Sequence, residues 1–301
     1  MERNDICVLG ASGFIGQNLL KAIPNSRGIS LRDDEWEKEA LSTDVFINLV
    51  GLAHDHAGTK TEDDYFYVNF ELVKKIFRVF LQSRAKLFLH ISSLSALEEL
   101  ESKEYLVETD ICRPFSWYGK SKREAEKWLL EQTMSSDKKL VILRPPMVHG
   151  PGDKGNLRLL YNLISKGVPY PLASFNNRRS FICIDNFCFY VTKFVAGHDR
   201  IESGIYHIAD EDPLSTTEIV DIIKSLTGKK QPNLAIPPII VRAVAKMGDF
   251  LSLPLNSLRL KKLTRDLLVS SAKARSALGG ELPLTSENGV RKTIISFQTN
   301  A

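Results

Sequence analysis

The sequence predicts an α/β fold built on a doubly wound parallel sheet, followed by a smaller mixed α/β region. Short apolar runs alternate with longer helical patterns through the first half of the chain. These runs are continuously apolar, which is typical of strands covered on both faces. Strand–helix alternation of this kind favours parallel strands joined by right-handed crossovers. After Gly150 the chain becomes richer in proline and glycine, so we expect a boundary near residue 150, with later chain returning to the sheet.

Apolar spacing places the individual elements. We predict strands at Ile6–Leu9, Gly28–Leu31, Val45–Val50, Leu87–Ile91, Leu140–Leu143 and Ile205–Ala209. Helical faces are formed by Ile15, Leu19, Ala22 and Ile23, and by Leu72, Ile76, Val79 and Phe80, with later helices at Thr216–Leu226 and Leu258–Leu263.

Composition excludes several classes of protein. The chain has 301 residues, of which 43% are hydrophobic and 25% charged, so it can bury a large core. Its net charge of +4 is too small and too scattered to indicate nucleic-acid binding. No apolar run approaches the ~18 residues of a membrane-spanning helix, and no signal peptide is visible. The four cysteines lack metal-ligand spacing, so we expect thiols in a reducing cytoplasm.

A glycine loop follows the first strand and leads into the first helix. Glycines at positions 10, 13 and 16 permit a sharp turn, a close approach of backbone to a pyrophosphate and tight packing of the helix on the strand. The helix N-terminus then attracts phosphate. We therefore predict a dinucleotide cofactor whose contacts include Gly10, Ser12, Gly13, Phe14, Ile15 and Gly16. The alternative is a glycine-rich turn that binds no ligand.

The end of the second strand predicts which dinucleotide binds. An acidic residue there holds the ribose diol of NAD, whereas an arginine accommodates the 2′-phosphate of NADP. Arg32 follows the predicted strand Gly28–Leu31, so NADP(H) is preferred and NAD(H) is possible. If the strand is misplaced, Asp33 or Asp34 is the diol ligand instead.

Three polar residues point to proton transfer. Tyr118 and Lys122 are four residues apart in a helical pattern, so they share one face. A nearby ammonium favours the phenolate and would bring the tyrosine pKa towards the working range. Ser93 follows the strand Leu87–Ile91, at the sheet edge where ligands bind, and can hold the reacting oxygen. The alternatives are a surface Tyr/Lys pair and a serine that only caps a turn.

With these motifs in this order, the sequence resembles the extended short-chain dehydrogenase/reductase family, and within it the UDP-glucose 4-epimerase and UDP-4-keto-sugar reductase branch of bacterial polysaccharide synthesis. The likeness covers nearly the whole chain. It extends to the segment Leu143–Gly152, to Lys154-Gly155-Asn156, and to Asn177–Ile182 followed by Asp185. The resemblance implies a Rossmann-like fold and a catalytic Ser93, Tyr118 and Lys122.

The same resemblance implies further contacts and a domain division. Cofactor contacts are implied for Leu49, Pro145 and Val148, in addition to Tyr118 and Lys122, and substrate contacts for Ser93, Asn156 and Arg179. It also implies a dinucleotide-binding domain of residues 1–150 plus about 181–210, and a nucleotide-sugar-binding domain of residues 151–180 and 211–301. Relatives commonly form homodimers, here through helices around Glu71–Ser83 and Ser121–Glu131.

The chain departs from the family pattern at several positions. Ser92 and Ser95 are register alternatives to Ser93, and His149 stands where the family commonly has tyrosine. Residues 33–44 leave little room for an extra strand. His54 and His56 are interpreted as loop residues and not as a metal site, because Asp55 alone does not complete a ligand set.

The sequence therefore predicts a hydride-transfer enzyme acting at C4 of a UDP-sugar. Arg32 favours a 4-keto-sugar reductase, and a UDP-glucose or UDP-N-acetylglucosamine 4-epimerase is the alternative. A non-catalytic dinucleotide-binding sensor or assembly factor, and a reductase of small hydrophobic ketones, are two other hypotheses. No nucleic-acid partner and no integral membrane segment are expected. The stretch Ile236–Leu263 could touch a membrane surface, but we favour a role in domain packing.

Overall fold

The computed structural model describes residues 5–53, 59–153, 155–251 and 256–299. The strands β1–β8 are Ile6–Leu9, Ser26–Ile29, Val45–Asn48, Leu87–Ile91, Lys139–Arg144, Met147–His149, Phe181–Cys183 and Gly204–His207. The helices α1–α12 are Phe14–Ala22, Trp36–Leu41, Glu62–Phe66, Leu72–Gln82, Trp117–Leu130, Asn156–Ser165, Ile184–Ala196, Thr216–Thr227, Pro238–Leu251, Ser257–Thr264, Ala272–Leu278 and Ser286–Thr299. A π-helical turn, Tyr67–Glu71, joins α3 to α4.

The main sheet has six parallel strands in the order β2-β1-β3-β4-β5-β8. The chain moves outward from β1 to β2, then returns past β1 to continue through β3, β4 and β5. This reversal creates a crevice at the carboxyl ends of β1 and β3, where ligands bind in open α/β sheets. The doubly wound α/β fold predicted from the sequence is confirmed.

Both faces of the sheet are covered by apolar packing. Alternate residues of β1 point to opposite sides: Ile6 and Val8 pack towards α1 and α7, whereas Cys7 and Leu9 pack towards α4 and α5. Aromatic rings fill the second layer, with Phe77 edge-on to Phe88 at a centroid distance of 4.9 Å. Burial on both sides explains why the strands are continuously apolar in sequence.

The position of β2 differs from the prediction by two residues. The strand covers Ser26–Ile29, not Gly28–Leu31, because Ile29 pairs with Leu9 at the last residue of β1. Gly28 lies inside the strand and does not begin it. A Cβ at this position would lie 2.7 Å from Ala11 Cβ, so the glycine permits β2 to approach the glycine loop closely. Residues 30–44 contain α2 and no strand, as their short length predicts.

The region after residue 150 has its own packed layer. Strands β6 and β7 form a separate parallel pair, and α6, α8 and α12 share an apolar cluster that includes Tyr161, Ile223 and Phe297. Strand β8 returns to the edge of the main sheet beside β5. Among the described residues, no helix is long and apolar enough to cross a membrane.

Candidate active site

The three glycines of the first loop have different roles. Gly10 has a φ of +84°, and a Cβ there would lie 2.9 Å from the backbone of Leu49 and Val50. At Gly16 a Cβ would lie 2.5 Å from Ala11 Cα, so the helix packs against the loop only because the side chain is absent. At Gly13 the nearest atom would be 3.6 Å away, which leaves this side open.

The N-terminus of α1 fits a phosphate. Gly13 is the N-cap residue, and no side chain caps the helix. The N-cap side chain therefore supplies no acceptor for the first-turn N–H groups, which leaves them available to a phosphate. Ser12 is exposed there, and the Phe14 ring lies 3.4 Å from a Cβ built at Gly150, next to the segment that carries Val148. These residues fit the dinucleotide predicted from the sequence.

Arg32 lies three residues beyond the end of β2. Its side chain is exposed, and only its backbone N–H donates, to Ser30 Oγ at 3.3 Å. Asp33 accepts from the backbone N–H of Glu35 at 3.0 Å, so its carboxylate caps a turn. The arginine is thus available to a ligand, but the structure does not hold it in a position that selects NADP(H).

Ser93 and Tyr118 come together at the carboxyl end of β4. The Ser93 hydroxyl lies close enough to Tyr118 to oppose the rise of the tyrosine pKa, and Ser93 Oγ accepts from the backbone N–H of Ser95 at 3.1 Å. Ser92 is occupied elsewhere, since its hydroxyl donates to Glu126 Oε1 at 2.6 Å. Ser93, and not Ser92, is therefore the serine that acts on Tyr118.

Lys122 is buried one turn after Tyr118 on the same helix, α5. Its Nζ donates to the carbonyl of Ile91 at 2.9 Å, at the end of β4. A Cβ on Gly51 would lie 3.0 Å from that Nζ, so a larger residue at position 51 would obstruct the lysine. Burial lowers the pKa of Lys122 to about 8, and the Glu126 carboxylate partly opposes this.

The pKa of Tyr118 corrects one expectation. The sequence predicted that Lys122 would lower it, but burial raises the pKa of Tyr118 above its usual value. The nearby Ser93 hydroxyl opposes the shift, whereas the Glu99 carboxylate adds to it. Desolvation of the phenolate outweighs the opposing effect of Ser93. The protonated form of Tyr118 is therefore favoured.

A buried charge cluster supports the serine loop, and sequence reasoning missed it. Arg144 at the end of β5 donates to both oxygens of Glu126, at 2.8 Å from Nε and 2.6 Å from Nη2. Arg123 adds a contact of 3.1 Å. Because Glu126 also accepts from Ser92, it ties β4, α5 and β5 together directly behind Ser93. The i,i+4 spacing of Lys122 and Glu126 was the available signal.

Two further polar residues position α5. Asn69, in the π-helical turn, donates to Ser121 Oγ at 3.0 Å and accepts from the backbone N–H of Leu52 at 2.7 Å. Glu99 Oε1 accepts from the backbone N–H and hydroxyl of Ser116, at 2.9 and 2.7 Å. Ser116 is the N-cap of α5, so Glu99 fixes the turn that presents Tyr118. Neither residue has a sequence signal, because both depend on packing between distant segments.

The predicted substrate residues form no hydrogen bond with Ser93 or Tyr118 within the described part of the chain. Asn156 is the exposed first residue of α6, and Lys154 lies outside the described residues, as do His54 and His56. Arg179 donates through Nη1 to the carbonyl of Arg265 at 3.2 Å, and burial lowers its pKa to about 10. Neither Asn156 nor Arg179 hydrogen-bonds to the catalytic pair within the described part of the chain.

A cationic cavity lies beside Arg179. It has a volume of about 260 Å³ and is lined by Phe175, Arg242, Ser257, Leu260, Lys261, Thr264 and Arg265. Lys261 pairs with Glu101 at 2.8 Å, and Lys262 reaches Glu99 at 3.7 Å. The cavity is thereby linked to the segment that orients Tyr118. The sequence analysis did not identify this cavity.

His149 is not an active-site group in this structure. Its ring is buried, Nδ1 lies 2.9 Å from Thr293 Oγ1 on α12, and burial lowers its pKa to about 4. His149 therefore packs strand β6 against helix α12.

Pro145, two residues after Leu143, accepts through its carbonyl from the backbone N–H of Leu94 at 2.8 Å, which brings this segment next to the serine loop.

Comparison with known proteins decides the family. The model of the NAD dependent epimerase/dehydratase family matches residues 27–209, more than half of the chain. This chain belongs to that family.

Relatives of this family member match over nearly their full length. It is 27% identical to a UDP-glucose 4-epimerase of Vibrio cholerae, over 97% of this chain and 95% of that protein. It is 24% identical to an N-acetyl-alpha-D-glucosaminyl-diphospho-ditrans,octacis-undecaprenol 4-epimerase of Escherichia coli O157:H7, over 97% and 94%. The crystal structure of a UDP-glucuronic acid 4-epimerase from Bacillus cereus with NAD superimposes with a TM-score of 0.77 at 16% identity, covering 98% and 99% of the two chains.

These comparisons confirm the resemblance and the type of enzyme expected from the sequence. They also bear on the choice between two reactions, because the relatives at 27% and 24% identity, each matched over nearly its full length, are both 4-epimerases.

Proposed function

We propose that this family member is a 4-epimerase of a UDP-sugar. The observation that carries the proposal is the approach of Ser93 to Tyr118, on the helix that also carries the buried Lys122, in a chain that matches two 4-epimerases over nearly their full length. The sequence analysis preferred a 4-keto-sugar reductase because of Arg32. The exposed position of Arg32 gives that preference little support, and the epimerase alternative fits better.

The protein residues supply positioning and proton transfer. Tyr118 Oη would accept the proton of the C4 hydroxyl and later return it, while Ser93 Oγ holds the same oxygen. Lys122 Nζ would carry positive charge next to the phenol and bind the ribose next to the nicotinamide. A dinucleotide held by the glycine loop would supply the hydride acceptor for C4 and, after the sugar turns over, the hydride donor to its other face. Because burial raises the pKa of Tyr118, its phenolate would be a strong base for the C4 hydroxyl, and the return of the proton would be the less favourable step.

The glycine loop is proposed to hold the dinucleotide through Gly10, Ser12, Gly13 and the first turn of α1. An epimerase regenerates its cofactor in each turnover, so it has no need to exchange it, and we propose NAD(H). Arg32 keeps NADP(H) as the alternative, because a 2′-phosphate could reach its exposed guanidinium. Fluorescence titration with NADH and NADPH separates the two: weaker binding of NADPH to Arg32→Ala, with NADH unchanged, would support the NADP(H) alternative.

The sugar nucleotide is proposed to bind to residues 151–180 and 211–301. Arg179 and the cavity that contains Arg242, Lys261 and Arg265 provide a cationic surface for a diphosphate. Asn156 would contact the same ligand from the start of α6. The domain division, the cytoplasmic location and a homodimer formed by helices within Glu71–Ser83 and Ser121–Glu131 belong to the same proposal. Four free cysteines suit a reducing compartment.

The test follows C4 stereochemistry without added cofactor. The purified protein is incubated with UDP-glucose or UDP-N-acetylglucosamine, and the galacto epimer is detected by nuclear magnetic resonance. Tyr118→Phe should lower the rate roughly 10²- to 10⁴-fold, whereas the exposed Tyr67→Phe should not. NADPH consumption with a UDP-4-keto-6-deoxy sugar, without any epimer from the other substrates, would contradict the proposal and favour the reductase.

A further inference from the structure

Helix α9 is apolar on two opposite sides. One side, formed by Val241, Ala245 and Gly248, is buried against the core of the second layer. The other side is exposed to solvent and carries Ile239, Ile240, Val244, Met247, Phe250 and Leu251. Phe250 is 87% exposed and Ile239 is 77% exposed. A contiguous apolar face of this kind marks an interaction surface, since monomeric proteins rarely leave one open.

Positive charge is concentrated around this face. Residues 238–265 contain six cationic residues and one acidic residue, a net +5, while the whole chain carries +4. The sequence analysis described the positive charge as scattered, but a large part of it is concentrated in this segment. Glu99 and Glu101 reach this segment from outside and reduce the local charge to +3. Arg242 and Lys246 follow each other by one helical turn and flank the apolar face directly.

We propose that the exposed face of α9 docks on an anionic membrane surface. A helix that combines large apolar side chains with flanking cations lies in the interface of a bilayer, where the apolar residues enter the acyl boundary and the cations meet phosphate. The proposal adds to the domain-packing role expected for Ile236–Leu263: the side with Val241 packs on the core, and the opposite side docks.

Charge also argues against a second copy of the chain as the occupant. In a two-fold symmetric interface each patch meets an identical patch, so the cations beside α9 would face one another. On an anionic lipid surface the same cations are instead attracted to the phosphate groups of the lipids. The proposal goes beyond the epimerase reaction, because it concerns where the enzyme works and does not depend on which sugar it converts.

The test is co-sedimentation of the full chain with vesicles. Vesicles of equal parts phosphatidylglycerol and phosphatidylcholine are compared with vesicles of phosphatidylcholine alone. The double variant Met247→Ser/Phe250→Ser removes two exposed apolar side chains, and Lys246→Gln removes one flanking charge. Ile111→Ser is the matched control, because Ile111 is 78% exposed on another surface. Circular dichroism and epimerase activity on a water-soluble UDP-sugar verify that each variant is folded.

The expected result is binding to the anionic vesicles that weakens with added salt. Met247→Ser/Phe250→Ser should weaken it roughly tenfold or more, Lys246→Gln should weaken it less, and Ile111→Ser should leave it unchanged. Absence of binding, equal binding to both kinds of vesicle, or equal binding of the double variant would overturn the proposal. A dimer in light scattering that Met247→Ser/Phe250→Ser dissociates would also overturn it, in favour of a second copy. Absence of epimerase activity in the unmodified protein as well as in the variants would instead count against the proposed function.

Discussion

Neutralising Glu126 tests how much its buried charge cluster contributes to the stability of the fold. The carboxylate is fully buried and accepts from Ser92, Arg144 and Arg123 at distances between 2.6 and 3.1 Å. In Glu126→Gln the amide can accept at one oxygen, but its NH₂ group must face a guanidinium donor. Arg144, fully buried, then carries an uncompensated charge. Removing one partner of such a pair costs about 3–5 kcal/mol, a large part of a typical total of about 5–15 kcal/mol.

Urea unfolding measures that free energy, and two variants serve as controls. Glu124→Gln removes a half-exposed carboxylate that pairs with Lys127 on the same helix, and it should change stability by no more than ~0.5 kcal/mol. The double variant Glu126→Leu/Arg144→Met removes both charges and should recover most of the loss. A cost below about 1 kcal/mol for Glu126→Gln, or a double variant as unstable as the single one, would refute the reasoning.

Three other predictions address the cofactor loop and the proton chemistry. Gly16→Ala places a Cβ against the backbone of Ala11 and should lower the free energy of unfolding in urea by about 1–3 kcal/mol. Gly13→Ala should leave stability nearly unchanged and weaken NADH binding. Equal stability of the two variants would contradict this. Ser93→Ala should reduce kcat with little change in KM, since the hydroxyl acts on the reacting oxygen; an unchanged kcat would remove it from the mechanism. Lys122 has its pKa lowered to about 8, so its charge is present below that pH and lost above it. The kcat should fall as pH rises through about 8, and a decline at the same pH in Lys122→Arg, which stays charged, would assign it to another group.

Local sequence signals were sufficient where the cause is local. The strands β1 and β4 have their predicted bounds, because a short, predominantly apolar run between polar segments is typical of a strand covered on both faces. The strand β2 was misplaced because Ser26 and Arg27 are not apolar; they belong to the strand through their pairing with β1. Pairing partners lie far away in sequence, and no local pattern reveals them.

The sequence by itself determined the doubly wound sheet, the glycine loop at the N-terminus of α1 and the order of Ser93, Tyr118 and Lys122. Backbone geometry and helical spacing dictate these features within a few residues of chain. Only the tertiary structure decided which serine meets Tyr118, since Ser92 is taken by Glu126 from a helix 34 residues away. It also decided the high pKa of Tyr118, which follows from burial, and the exposure of one face of α9. Burial and solvent exposure depend on how distant segments pack.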